Sequence, residues 1–243
     1  MLIEGKRIVI TGGSSGIGLE TLKQTYEKNE LVVIARNKQR LDELKSQYKK
    51  IDIFNADFSN IDETKEVAGK ILNKYEQVDI LINNAAVQYT PKFLDPDFDY
   101  ESIQKEITTN FTSLCGLIYL LLPAMLKDSR SIILNINSGL GLTPKANSAI
   151  YCGTKGAMNI FSQSLRYQLE ETNVKVLQAF LPLVDTPMTE GRGTGKISSE
   201  EAVKRIIAGL EKEFPENDIG KVKLLRFLLR IFPAVAKNIL KRG

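Results

Sequence analysis

Tyr151-Cys152-Gly153-Thr154-Lys155 places a phenol and an ammonium four residues apart, so on a helix both project from one face. An ammonium beside a phenol favours the phenolate and is expected to bring its pKa down from about 10 toward neutrality. That would make tyrosine a usable general acid or base. The sequence has no histidine at all, which removes histidine-based triads and histidine-containing zinc sites. Alone, the pair also describes two solvated helical neighbours. Its surroundings argue for more. Upstream, the apolar run Ile132–Asn137 ends at Ser138, which sets a hydroxyl at the carboxyl end of a sheet strand, the edge where ligands collect in open α/β sheets.

A second cluster lies near the N-terminus. Ile8-Val9-Ile10 runs into Thr11-Gly12-Gly13-Ser14-Ser15-Gly16-Ile17-Gly18, a strand leading into glycines among which a helix begins. Residues without bulk let backbone N–H groups approach a diphosphate, and the helix N-terminus adds favourable partial charge. The spacing is not the commoner Gly-x-Gly-x-x-Gly, and a plain glycine-rich turn would look similar. The next strand ends Ile34-Ala35-Arg36. An acid here would hold the ribose 2′-hydroxyl of NAD. Ala35 supplies none, and Arg36 offers a planar fork for a 2′-phosphate, so NADP(H) is expected over NAD(H). Asp57 either accepts from an adenine amino group or starts a turn near Asn60. Asn83-Asn84-Ala85-Ala86 closes another strand with side chains suited to exposed backbone. Asn110 falls inside an expected helix, where asparagine is a poor fit without another task.

The elements that must position these groups alternate along the chain. Short apolar runs at 7–11, 31–36, 51–56, 78–82, 131–137 and 174–181 read as strands buried on both faces. Amphipathic stretches at 16–28, 38–48, 60–75, 99–127, 152–171 and 199–213 read as helices. This predicts one α/β domain over 1–220, a Rossmann-type doubly wound parallel sheet of about seven strands with helices on both faces. The stretch 185–198, punctuated by Gly191, Gly193 and Gly195, reads as a mobile loop.

Two cysteines, Cys115 and Cys152, are too few for a disulfide framework or a metal cluster, and the start of the chain lacks an export signal. A cytoplasmic protein without a bound metal is expected. Segment 221–243 is a basic amphipathic extension. It holds seven of the 33 basic residues and none of the 29 acidic ones, so it carries +7 and the rest of the chain −3. Charge confined to one end is not the footprint of a nucleic-acid groove. The extension either packs its apolar stripe on protein or lies at an anionic membrane surface as a peripheral contact. Helices 99–127 and 152–171 look apolar beyond one stripe, through Leu114, Leu117, Ile118, Leu120, Leu121 and Leu122, which suggests a second buried face.

Thr11-Gly12-x-x-x-Gly16-x-Gly18, Asn83-Asn84-Ala85, Asn110, Ser138 and Tyr151-x-x-x-Lys155 stand in the order and rough spacing of the short-chain dehydrogenase/reductase family, which the chain resembles from about residue 5 to 220. Within it the chain is similar to bacterial oxidoreductases associated with teichoic-acid D-alanylation genes, through segments such as Asn137-Ser138-Gly139-Leu140 and Pro182-Leu183-Val184-Asp185-Thr186. The resemblance implies an oxidoreductase acting on a small carbonyl or alcohol, with Tyr151 moving the proton, Ser138 orienting the oxygen, Lys155 on the nicotinamide ribose and Asn110 placing a water. It implies a cofactor cradle of Gly12, Ser14, Ser15, Gly16, Ile17, Gly18, Arg36, Asp57, Asn84, Ala85, Tyr151, Lys155, Val184 and Thr186, and a homodimer through paired helices. Ala86 and Leu183 depart from the family's usual glycines. The competing readings are a non-catalytic NADP(H)-binding protein of the same fold, and an epimerase or dehydratase. The first predicts damage at Tyr151, Lys155 or Ser138, and all three are intact.

Overall fold

A computed structural model describes residues 2–127 and 129–241. Its centre is a seven-stranded sheet of β1 (Arg7–Thr11), β2 (Glu30–Ala35), β3 (Asp52–Asn55), β4 (Ile80–Asn83), β5 (Ser131–Ser138), β6 (Val174–Leu181) and a short edge strand, Glu216–Asp218. The order across the sheet is β3-β2-β1-β4-β5-β6-edge, with every neighbour parallel. The chain reverses its winding beside β1, so the carboxyl ends of β1 and β4 flank the switch point where open sheets bind ligands.

Alternation along each strand divides the core. Ile8 and Ile10 face one side with Leu31 and Val33, against Leu22 of α1 (Gly16–Thr25), Leu41 and Leu44 of α2 (Lys38–Gln47) and Val203 and Ile206 of a later helix, Ser199–Glu211. Val9 faces the other with Val32 and Ile34, against Val67 and Ile71 of α3 (Ile61–Lys74) and the helices at 100–125 and 149–168. A period of two thus fills both layers from one run of apolar residues. Helix starts are set locally. Asn37 accepts from Arg40 N at 2.9 Å, Asn60 from Asp62 N at 3.0 Å and Ser198 from Glu201 N at 3.1 Å, each closing an open N–H of a first turn.

The expected helix 99–127 is continuous but not uniform. It consists of α4 (Tyr100–Ile107), a π-helical turn at Thr108–Thr112 and α5 (Ser113–Met125). Its length and composition would suit a membrane span. Here Leu114, Leu117, Ile118 and Leu121 are buried in the core. Leu120 and Leu122 pack half-buried against that core, while Tyr119 is exposed on the outward side and α6 (Ala149–Gln168) adds exposed Ile160 and Tyr167.

The loop expected to be mobile is laced down. β7 (Val184–Asp185) and β8 (Ile197–Ser198) form a two-stranded parallel pair at its base. Lys196 bonds the Thr189 carbonyl at 2.7 Å and the Asp185 carboxylate at 3.2 Å. Gly191, Gly193 and Gly195 all take positive φ, which gives their spacing a conformational reason. With these two strands labelled, the edge strand is β9 and the helix Ser199–Glu211 is α7. The extension forms α8 (Lys221–Ile231) and α9 (Pro233–Lys241), divided where Pro233 ends the first; Arg242 of its basic set lies outside the described residues.

Candidate active site

At the β1 end, Thr11 Oγ1 accepts from the backbone N–H of Asn84 at 2.9 Å and of Ala85 at 3.0 Å. The Asn84 amide donates to the carbonyls of Thr11 at 3.0 Å and Gly12 at 3.2 Å. The glycine turn is folded so tightly, with the β4 loop against it, that a Cβ on Gly18 would stand 2.3 Å from the Gly12 carbonyl oxygen and 2.7 Å from Asn84 Nδ2. Gly12 and Gly16 take positive φ, and Thr186 reaches from the end of β7 to within 3.2 Å of where a Gly16 Cβ would be. This gathers Gly12, Ser14, Ser15, Gly16, Ile17 and Gly18 around the start of α1, with Ala85, Val184 and Thr186 beside them. Ser15 occupies the N-cap without a side-chain cap bond, and no acid lies in the first turn. Open N–H groups and an uncompensated helix dipole fit a diphosphate. Asn84 serves here as a brace within the loop pair.

Arg36 follows β2 directly and is exposed, with no ion pair among the described residues. Its carbonyl accepts from Asn55 Nδ2 at 2.9 Å, which fixes the backbone and leaves the guanidinium to solvent. Asp57 starts the turn into α3, since its Oδ1 accepts from Ser59 N at 2.8 Å, while Asn60 is the helix cap.

At the other side of the switch point, β5 ends in Ser138, whose Oγ accepts from Leu140 N at 3.1 Å. Ser148 precedes α6 in the left-handed conformation, φ 59°, and turns the chain so that Tyr151 and Lys155 face back to the strand. Tyr151 is 9% exposed and Lys155 4%. Lys155 Nζ donates to the Ile136 carbonyl at 2.8 Å and stands 5.7 Å from the Tyr151 ring centroid. The electrostatics differ from the sequence expectation. Burial pushes the Tyr151 phenol above its ordinary value, reinforced by Cys152 and Glu106, while a hydrogen bond with Ser138 and the Arg192 charge pull it back. Burial also brings Lys155 down to about 8. The ammonium does not lower the phenol because desolvation acts on both groups and the Nζ proton is directed to a backbone carbonyl.

Asn110 sits on the π-helical turn, a deformation that often marks functional positions. Its Oδ1 accepts from Val87 N at 2.8 Å, and its two amide hydrogens go to the Val87 carbonyl at 2.9 Å and Thr154 Oγ1 at 3.2 Å. Thr154 in turn bonds the Tyr151 carbonyl at 2.8 Å. Asn110 therefore positions the β4 loop against the helix of Tyr151, and only a lone pair on Oδ1 is left for a water. Asn137 escaped sequence reasoning. Its Nδ2 reaches the Lys155 carbonyl at 3.3 Å and Gln178 Oε1 at 2.9 Å, and its signal was a polar residue inside a buried strand.

Glu106 also escaped notice. It lines a pocket with Tyr89, Phe93, Phe98, Ser148 and Ile150, next to Tyr151 in space, and accepts from Tyr89 N at 3.1 Å. Arg192 Nη1 donates to Gln88 Oε1 at 3.0 Å, and Gln88 reaches Ser148 Oγ at 3.1 Å, which ties the loop of Gly191 and Gly193 to the start of α6. Among the described residues no cluster could hold a metal ion.

A family model described as short chain dehydrogenase matches residues 6–197. The Bacillus subtilis (strain 168) protein DltE, named an uncharacterized oxidoreductase, is 33% identical over 233 residues, covering 93% of this chain and 92% of its own length. A short chain dehydrogenase from Burkholderia cenocepacia J2315, solved in complex with NADP, superposes with a TM-score of 0.88 at 22% identity, over 99% of both chains. A short chain dehydrogenase/reductase from Burkholderia phymatum, in complex with NAD, gives 0.84 at 18% identity over 95% of this chain and 96% of its own. At those identities the two structures speak for the fold alone.

Burial raises the Glu106 carboxyl to about 7 from 4.5, against the opposing Tyr89 N–H bond and the Arg192 charge. The folded protein thus holds this proton more tightly than the unfolded chain. The stabilising effect is full below about pH 4.5 and is lost as pH rises through about 7. Chemical denaturation across that window should show a falling contribution that disappears in Glu106→Gln. An identical slope in the two proteins would remove Glu106 as its source.

Proposed function

The chain belongs to the short chain dehydrogenase family of oxidoreductases, and we propose that it is an NADP(H)-dependent member interconverting a small carbonyl compound and its alcohol through Tyr151. The observation that carries this reading is Tyr151 buried on α6 with Ser138, at the carboxyl end of β5, near enough to favour its phenolate, and the buried Lys155 on the next turn of the same helix. When bound, the nicotinamide supplies or accepts the hydride. The first turn of α1 and the turn Gly12–Gly18 would hold its diphosphate, and Arg36 would hold a 2′-phosphate. Ser138 holds the substrate oxygen by a hydrogen bond. Tyr151, kept protonated by burial, donates its proton to that oxygen in reduction and takes it back in oxidation. Lys155, brought down to about 8 by burial, would hold the nicotinamide ribose and supply the positive charge that a phenolate faces once the proton has left. Asn110 and Thr154 fix the height of the helix that presents both.

The preference for NADP(H) rests on Arg36, with Ala35 in place of an acid. The proposed assembly is a homodimer through the outer sides of α5 and α6, where Tyr119 is 77%, Ile160 65% and Tyr167 71% exposed.

Tyr151→Phe should leave cofactor titration unchanged while turnover of a carbonyl panel, followed by nicotinamide absorbance, falls about 10²–10⁴-fold. Near-normal turnover would end the mechanism. Arg36→Ala should weaken NADPH by about 1.5–3 kcal/mol and leave NADH alone, and equal affinities in the parent protein would remove the preference. Light scattering at micromolar concentration should give twice the chain mass; a monomer mass rules the dimer out.

A further inference from the structure

α8 has two apolar sides. Its inner side packs Val222 and Leu225 over Gly139, the residue after Ser138. Arg226, on the same side, is consumed by the sheet edge: Nε and Nη2 bond Asp218 at 2.5 and 2.9 Å, Nη1 meets Glu216 at 2.9 Å, and the guanidinium stacks 4.8 Å from the Phe180 ring centroid. The outer side does the opposite. Leu224, Phe227 and Ile231 recur at three and four residues, and Phe232, at the end of α8, repeats that spacing with Val235 and Ile239 of α9. All six are between 50% and 59% exposed. An apolar stripe facing water on two successive helices is the mark of a surface made to be covered.

The charges flanking this stripe narrow what covers it. Lys221, Lys223, Arg230, Lys237 and Lys241 are exposed, and none makes an ion pair among the described residues. No acidic residue occurs from 221 to 243. On α8, at about 100° per residue, Lys223 and Arg230 lie along one border of the outer stripe and Lys221 along the other. A two-fold pairing of copies through this face would set these cations against their own equivalents. A lipid surface with anionic headgroups takes both features at once, since aliphatic and aromatic side chains enter the acyl boundary and flanking lysines and arginines rise to the phosphates. Helices of 11 and 9 residues are too short to cross a hydrocarbon core of about 30 Å, so they lie in its plane.

We propose that the outer face of α8 and α9 docks this protein on an anionic phospholipid bilayer. Because the inner side of α8 rests on Gly139, docking sets the membrane on the flank of the molecule that carries Ser138. The proposal stands on the surface alone and is independent of the role given to Tyr151.

The test is co-sedimentation of the full chain with vesicles of phosphatidylcholine, and with vesicles of phosphatidylcholine and phosphatidylglycerol. Sedimentation with the mixed vesicles, weakened by added salt, is expected, with little on the neutral ones. Phe227→Ser with Ile231→Ser should lower the affinity at least about tenfold, as should Lys223→Glu with Arg230→Glu. Lys223 and Arg230 are exposed and make no ion pair among the described residues, which keeps the test decisive if the serine pair lowers the melting temperature. No binding to the mixed vesicles, equal binding to neutral ones, or binding untouched by the charge pair would each overturn the proposal. A fall in oligomer mass in the serine pair without vesicle binding would assign the face to a second copy and overturn it too.

Discussion

Holding an ammonium in a site 4% exposed is the constraint around which this end of the molecule is arranged. Water has been removed from Lys155, and its Nζ donates instead to the Ile136 carbonyl at 2.8 Å. That bond requires α6 to lie close on β5. Close approach explains Gly141, where a Cβ would stand 2.7 Å from both the Lys155 carbonyl and Asn137 Oδ1. It also explains Asn137, whose amide reaches the Lys155 carbonyl from within the strand. Burial therefore keeps the phenol protonated and weakens the hold of Lys155 on its proton, and whatever charge develops on Tyr151 must be met by groups already in place.

A ladder of buried amides extends the same logic across the sheet. Asn83 donates to Asn135 at 2.9 Å and Asn135 to Ser162 at 2.8 Å, while Gln178 receives from Asn137 and reaches Asn159. Buried polar side chains that find one another fix strand and helix in a single register, whereas an apolar interface would tolerate sliding. The π-helical turn belongs to this set. An extra residue in one turn rotates Asn110 off the course of a regular helix and toward Val87 and Thr154.

The strand alternation, the glycine loop and the Tyr151–Lys155 spacing were legible because each is local. Periods of two and of four residues survive in a bare sequence whatever the chain does elsewhere. The seventh strand was not legible, since Glu216-Asn217-Asp218 has no apolar run and pairs only because β6 offers an edge. Likewise the leucines of α5 could be seen to be apolar all round, but which of them face the sheet depends on where the π-helical turn resets the helix phase. The direction of the Tyr151 shift was misread for a related reason. Sequence spacing reports the distance between two groups, and burial, which decides here, is a property of everything packed over them.

The sheet ends in three residues, Glu216–Asp218, whose outer edge has no strand partner. Open edges of this kind recruit strands from other chains unless something blunts them. Here both acidic side chains of the edge are gripped by Arg226, so the amphipathic extension acts as a lock on this margin of the sheet. The extension is thereby a safeguard against aggregation as well as a surface. A chain ending at Gly220 would release that edge and leave the acids of Glu216 and Asp218 as its only protection against strand-to-strand association.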